Sequence, residues 1–271
     1  SCETKRRDMV DAIKNGTNDL QGERRGKGRW RKKRKKAFVL FICIGGICFL
    51  VTRMVRVEDK TTVKVHNMHT EQNEKAIRYV ASNMIKEDPK IAITFDDGPS
   101  PAWTPQLLDG LKERNVKATF FLIGENAKNN PELVKREAEE GHLIGNHTYH
   151  HVEITRVPDE TAQEEILMTN EVITRITGEE VSYMRPPFGV WQKNLERKLD
   201  VMPVLWTIDP LDWTTDNEDE IINKVVTQAG ENDIILLHDC YESSVNAALR
   251  IVDILQKEGF EFVTVDELIM N

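Results

Sequence analysis

From residue 90 onward the chain alternates between two spacings of apolar residues. Short runs rich in β-branched and aromatic residues, at 91–95, 118–123, 143–146, 183–185, 204–208, 234–237 and 260–265, read as buried strands. Between them, apolar residues recur at helical spacing over 103–114, 131–140, 159–177, 191–199, 218–229, 243–258 and 265–270. Pro131-Glu132 and Pro158-Asp159-Glu160 supply helix starts, and Gly141, Gly178, Gly230 and Gly259 supply stops. Seven strands alternating with helices predict an α/β fold with a parallel sheet, open or closed into a barrel. Acidic, imidazole and guanidinium side chains cluster where these runs end, and active sites of parallel α/β barrels lie at that end of the strands.

The pattern upstream is different. Residues 1–23 show no sustained apolar period and read as a disordered polar tail. Residues 24–36 are almost solidly basic. Residues 37–52 then run without a charge, which as a helix gives about 24 Å at ~1.5 Å per residue, against a hydrocarbon core of ~30 Å. Snorkelling of Lys36 and Arg53, with extension through Met54 and Val55, closes that gap. No small-residue cleavage site follows Leu50, so an uncleaved anchor over 37–55 is expected rather than a signal peptide. The basic flank places 1–36 in the cytoplasm and the rest outside a cell membrane. Residues 56–87 read as a stem with a weak helical pattern, and 88–271 as the working domain.

Charge sharpens that division. The net charge of −8 conceals 14 Lys/Arg against 5 Asp/Glu in residues 1–36, a net of +9, which leaves −17 on the remainder. An acidic body argues against nucleic acid as its partner. Of the four cysteines, Cys2, Cys43, Cys48 and Cys240, only the last lies in the body, so no disulfide forms within it, and no spacing suits a zinc knuckle.

Five clusters carry candidate chemistry. The first strand runs into Asp96-Asp97-Gly98-Pro99, where paired carboxylates can divide the work of metal ligand and general base. Alone, such a pair is more often a turn. Asn146-His147-Thr148-Tyr149-His150-His151 follows the third strand. On a helical turn His147 and His151 would share one face and, with a carboxylate such as Asp97, leave open coordination positions, while His150 would point elsewhere. Met184-Arg185-Pro186-Pro187-Phe188-Gly189 holds an arginine rigidly enough to keep a carboxylate ionised, and its Phe188 N–H is a candidate oxyanion donor. Asp209-Pro210-Leu211-Asp212-Trp213 and Leu236-Leu237-His238-Asp239 complete the set. An aspartate reaching a histidine at a neighbouring strand end would fix its tautomer and favour its protonated form. Trp213 and Leu236 supply apolar wall.

With all five in order, the sequence resembles the polysaccharide deacetylases, NodB-like carbohydrate esterases that remove acetyl groups from sugars. The likeness covers about residues 88–271 and includes 117–125 and the closing Phe262-Val263-Thr264-Val265-Asp266-Glu267-Leu268. It implies a distorted (β/α) barrel of about seven strands. It implies Asp96 as general base, with Asp97, His147 and His151 as ligands of one divalent ion, zinc first and cobalt as the alternative. It makes Arg185 the holder of Asp96, His238 the general acid tuned by Asp212, and Trp213 and Leu236 the acetyl pocket. Two departures are visible: Phe188 stands where tyrosine is usual, and His150 where an acidic or small polar residue is frequent. The implied reaction is deacetylation of N-acetylglucosamine in an extracellular polysaccharide, peptidoglycan first, with chitin oligomers, poly-N-acetylglucosamine or acetylxylan as alternatives. A glycan-binding module without catalysis would be expected to lack Asp96 or His238, and both are present.

Overall fold

A computed structural model of the protein describes residues 88–191, 195 and 199–270. The expected tail, anchor and stem lie outside these residues, as does most of the helix expected over 191–199. Among the described residues no helix is long and apolar enough to cross a membrane.

Strand β1 (Lys90–Asp96) carries Ile91, Ala92, Ile93 and Phe95, all wholly buried. A strand covered on both faces tolerates such an unbroken apolar run. It belongs to a seven-stranded sheet with β2 (Thr119–Leu122), β3 (Leu143–Asn146), β4 (Tyr183–Met184), β5 (Met202–Pro203), β6 (Ile234–His238) and β7 (Glu261–Phe262), and lies between β2 and β6. The order is β5-β4-β3-β2-β1-β6, with β7 pairing the start of β1, and every pairing is parallel. Between β5 and β6 there is no ladder, only an isolated bridge from Ile208 to Ile235. The architecture is therefore a parallel half-barrel rather than a closed barrel.

Helices α1 (Thr104–Glu113), α2 (Gly124–Asn129), α3 (Pro131–Glu139), α4 (Asp159–Thr177), α5 (Glu218–Val226), α6 (Glu242–Lys257) and α7 (Val265–Ile269) complete the crossovers. Their inward stripes (Leu107, Leu108 and Leu111 on α1; Val245, Ala248, Ile251, Val252 and Leu255 on α6) merge with β1, β2 and β6 into one apolar core. At roughly 1.5–3 kcal/mol for each fully buried aliphatic side chain, this core holds the sheet that positions the site.

Two expected strands are displaced or shortened. The run at 204–208 does not form a strand; pairing occurs one step earlier, at Met202–Pro203. Leu205 is 48% exposed, so part of that apolar run is not core at all. The strand expected over 260–265 reduces to Glu261–Phe262, because Thr264 opens α7 with a capping box to Glu267.

Candidate active site

Register brings the first two functional groups together. Asp96, the last residue of β1, is paired with His238, the last residue of β6. On the other side of β2, Asn146 of β3 is paired with Met184 of β4, so His147 and Arg185 follow at the same level.

Arg185 is wholly buried. Its Nη1 donates to Asp96 Oδ1 at 2.8 Å and to Thr94 Oγ1 at 2.6 Å. Nε and Nη2 donate to the carbonyls of Val204 and Leu205, each at 3.2 Å. The guanidinium also lies 4.3 Å from the centre of the Phe121 ring. Burial pulls its pKa down while Asp96 pulls it up. Thr94 was not singled out in the sequence, yet it lies two residues before Asp96 and so shares its face of the strand.

The metal candidates converge as expected, by a different route. Residues 147–151 form no helical turn; instead Thr148 and His151 take left-handed conformations, with φ of 60° and 59°. For a threonine that conformation costs about 1–3 kcal/mol and persists only where the surroundings enforce it. Asp97 is also left-handed, at φ 73°. Its Oδ1 lies 3.4 Å from Nε2 of His147 and 3.4 Å from Nε2 of His151, and the three donor atoms fall within 4.8 Å of one another. Tetrahedral ligands about 2.0–2.2 Å from a zinc ion stand roughly 3.3–3.6 Å apart. Asp97 Oδ1 is buried and accepts no hydrogen bond. An anionic oxygen left in that state, facing two imidazole nitrogens, fits a divalent cation. His147 Nδ1 sits 2.6 Å from the Arg185 carbonyl, so it donates there and leaves Nε2 as the lone-pair nitrogen. Burial acts to raise the Asp97 pKa, but the neighbouring imidazoles of His147, His151 and His238 outweigh it, and the pKa lies well below the usual carboxylate range. His150 takes no part: its Nδ1 turns away to Glu165, 2.7 Å off.

On the opposite wall His238 receives both oxygens of Asp212. The His238 N–H donates to Oδ2 and Nδ1 pairs with Oδ1, each at 2.8 Å. Burial acts to lower the His238 pKa; the Asp212 charge and hydrogen bond, with Asp97 and Asp96 beyond, overcome it and push the pKa up to about 10. The next residue, Asp239, is wholly buried and accepts a hydrogen bond from Thr104. Burial, with Asp97 adding to it, raises its pKa to about 7 despite that bond. Its carboxylate fills the space that a Cβ on Gly98 would need.

Between these walls lies a cleft of about 610 Å³, lined by Asp96, Asp97, His147, His151 and His238 together with apolar groups. Phe188, Trp213 and Leu236 line it as expected. Phe188 has φ 63°, and the turn's own hydrogen bond runs from the Gly189 N–H to the Pro186 carbonyl, not from Phe188. Its ring lies edge-on to His151, with centroids 5.1 Å apart. Trp206 and Tyr241 also line the cleft and were missed. Trp206 stood in a run that read as core, and Tyr241 lay just beyond the last cluster.

A parallel α/β half-barrel with a carboxylate–imidazole centre at its C-terminal rim describes a hydrolase class. Residues 83–204 match the polysaccharide deacetylase family profile, and the chain belongs to that family. The chain is 37% identical over 216 residues to the peptidoglycan-N-acetylglucosamine deacetylase PgdA of Listeria monocytogenes, an alignment covering 77% of this chain and 46% of that one. It thus spans about half the length of that relative. It is 37% identical over 191 residues to a chitooligosaccharide deacetylase of Rhizobium leguminosarum bv. trifolii, covering 64% of this chain and 89% of that protein. Among solved structures it is similar to peptidoglycan deacetylase PdaC of Bacillus subtilis, with 39% identity, a TM-score of 0.65, and coverage of 67% and 90%.

Proposed function

We propose that this chain hydrolyses the acetamide of N-acetylglucosamine residues in an extracellular polysaccharide, peptidoglycan first, releasing acetate and leaving glucosamine. The observation that carries this reading is the placement of Asp96 and His238 on neighbouring strand ends across one cleft, each held by a dedicated partner. Asp97, His147 and His151 would hold one divalent ion, zinc first and cobalt second. Such an ion polarises a carbonyl and activates water.

The chain's own groups supply the rest. Asp96 Oδ1 is occupied by Arg185, which orients the carboxylate and leaves Oδ2 to take a proton from the attacking water. The Phe188 N–H would donate to the oxyanion. Protonated His238, with Nδ1 on Asp212, gives the Nε2 proton to the departing amine. Trp213 and Leu236 would exclude water around the acetyl methyl, and Trp206 on the same cleft wall offers an apolar face for a sugar ring. The segment at 37–55, built on the uncharged run 37–52, would anchor the chain in a membrane with residues 88–271 outside.

Chitin oligomers are the second reading, supported by the likeness to the Rhizobium protein. The deciding assay is acetate release by the 271-residue chain from purified peptidoglycan, chitin oligomers and acetylxylan. Chelation should remove activity, and zinc or cobalt should restore it. Full turnover by rigorously metal-free protein would overturn the metal assignment, and release from acetylxylan alone would overturn the substrate.

A further inference from the structure

The loop carrying both histidine ligands has its backbone tied from two sides. The His147 N–H donates to the Leu122 carbonyl at 2.9 Å, and the Thr148 N–H to Asn146 Oδ1 at 2.7 Å. The first two N–H groups of α2, from Gly124 and Glu125, donate to the carbonyls of Thr148 and Tyr149 at 3.0 and 3.1 Å. The N–H groups of Tyr149 and His150 come next. Both go to one side chain, Glu165 on α4: its Oε2 accepts them at 3.0 and 2.8 Å, while its Oε1 lies 2.7 Å from His150 Nδ1. Glu165 is only 7% exposed.

We propose that Glu165 is a positioning residue for the metal centre, acting through the backbone of residues 149–150 rather than by touching the ion. The inference rests on the metal reading above and deepens it. His147 is independently fixed, by the end of β3 and by the Arg185 carbonyl at its Nδ1. His151 follows two residues whose N–H groups end on Glu165 and itself sits at a left-handed φ, as does Thr148. A loop with two non-glycine residues in that region relaxes when its acceptors are removed. Relaxation moves His151 against a stationary His147, so the spacing that the ion needs is set from α4. Buried backbone N–H groups without acceptors are rare, which is why one carboxylate takes both.

The test is metal affinity of the 271-residue chain, measured by titrating zinc into metal-free protein, together with the visible absorption of the cobalt form. Glu165→Ala should weaken zinc binding about 10–100-fold, the range for groups that orient metal ligands, and should alter the cobalt spectrum. Glu165→Gln keeps an oxygen that can accept both N–H bonds and should restore affinity to within a few-fold of the parent. If Glu165→Ala fails to fold, Glu165→Asp carries the test: it keeps the charge, withdraws the acceptor by one methylene, and should show a smaller loss in the same direction. Parental affinity and spectrum in Glu165→Ala, or in Glu165→Asp when that variant carries the test, would overturn the inference alone. An equal loss in Glu165→Gln and Glu165→Ala would also overturn it, since charge rather than loop geometry would then matter. A parent chain that binds neither ion would overturn the metal reading and this inference with it.

Discussion

Asp96 and His238 are register partners on adjacent parallel strands, yet each answers to a different neighbour. The carboxylate is held by Arg185 from β4's end, the imidazole by Asp212 from the turn before α5. The two groups thus face one cleft with opposite kinds of partner, a cation behind the carboxylate and an anion behind the imidazole. That separation is what a base and an acid acting in sequence require.

Removing the base without disturbing the ligands should separate the two aspartates. Asp96→Asn should lower turnover by about 10²–10⁴-fold, the usual worth of a positioned base, with zinc still bound. Asp97→Asn replaces the anionic ligand and should weaken zinc binding itself. Zinc content and acetate release, measured on both variants, check this; loss of metal in Asp96→Asn would reverse the assignment of ligand and base.

Activity should fall at high pH as His238 loses its proton. Asp212 raises the His238 pKa, to about 10 before any cation is bound nearby. A divalent ion adds positive charge and brings that value down. Asp212→Asn removes the stabilising anion, lowers the His238 pKa further and should move the alkaline limb of the pH–rate profile to lower pH. A limb that stays in place would mean another group is the acid.

Arg185→Leu should be costly to the fold. It strands the Asp96 carboxylate in the interior, and breaking a buried pair this way costs about 3–5 kcal/mol. The double variant Arg185→Leu/Asp96→Asn should be more stable than the sum of the two single losses predicts, as interacting sites are non-additive. Denaturant unfolding of the four proteins reads this coupling; strict additivity would argue that the pair contributes nothing.

Gly98→Ala places a methyl group where the Asp239 carboxylate lies. Either the carboxylate leaves Thr104 or the segment bearing Asp97 shifts. Overpacking of this kind costs about 1–3 kcal/mol, and zinc affinity should drop with it. Unchanged affinity together with an unchanged melting temperature would show that the segment has room to give.

The rim of the half-barrel was legible because chemistry in a parallel α/β sheet gathers where strands end, and those ends are marked by an apolar run meeting polar residues. Asp96, Asp97, His147, His151, Arg185, Asp212 and His238 all sit at such boundaries. Helix α2 was not legible: Gly124-Glu125-Asn126-Ala127-Lys128-Asn129 holds a single buried apolar side chain, too little for a 3.6-residue period. The run at 204–208 misled for the opposite reason, since Trp206 is apolar in order to line a cleft and Leu205 is exposed. Glu165 was hidden because an acidic residue on a helix reads as solvent-facing. Only the tertiary fold reveals that it turns inward to the loop after β3.

The wholly buried guanidinium of Arg185 bears on how such a chain could drift toward inactivity. An active-site residue at the surface can be lost at little structural expense. Here the proposed base is also the counter-ion of a cation in the interior, so an ordinary substitution at Asp96 should damage the scaffold and the proposed reaction together. Emptying this site of its chemistry while keeping the chain folded would call for isosteric amides or for paired changes at Asp96 and Arg185. Mutational tolerance at the two positions should therefore be correlated even in a population selected only for folded protein.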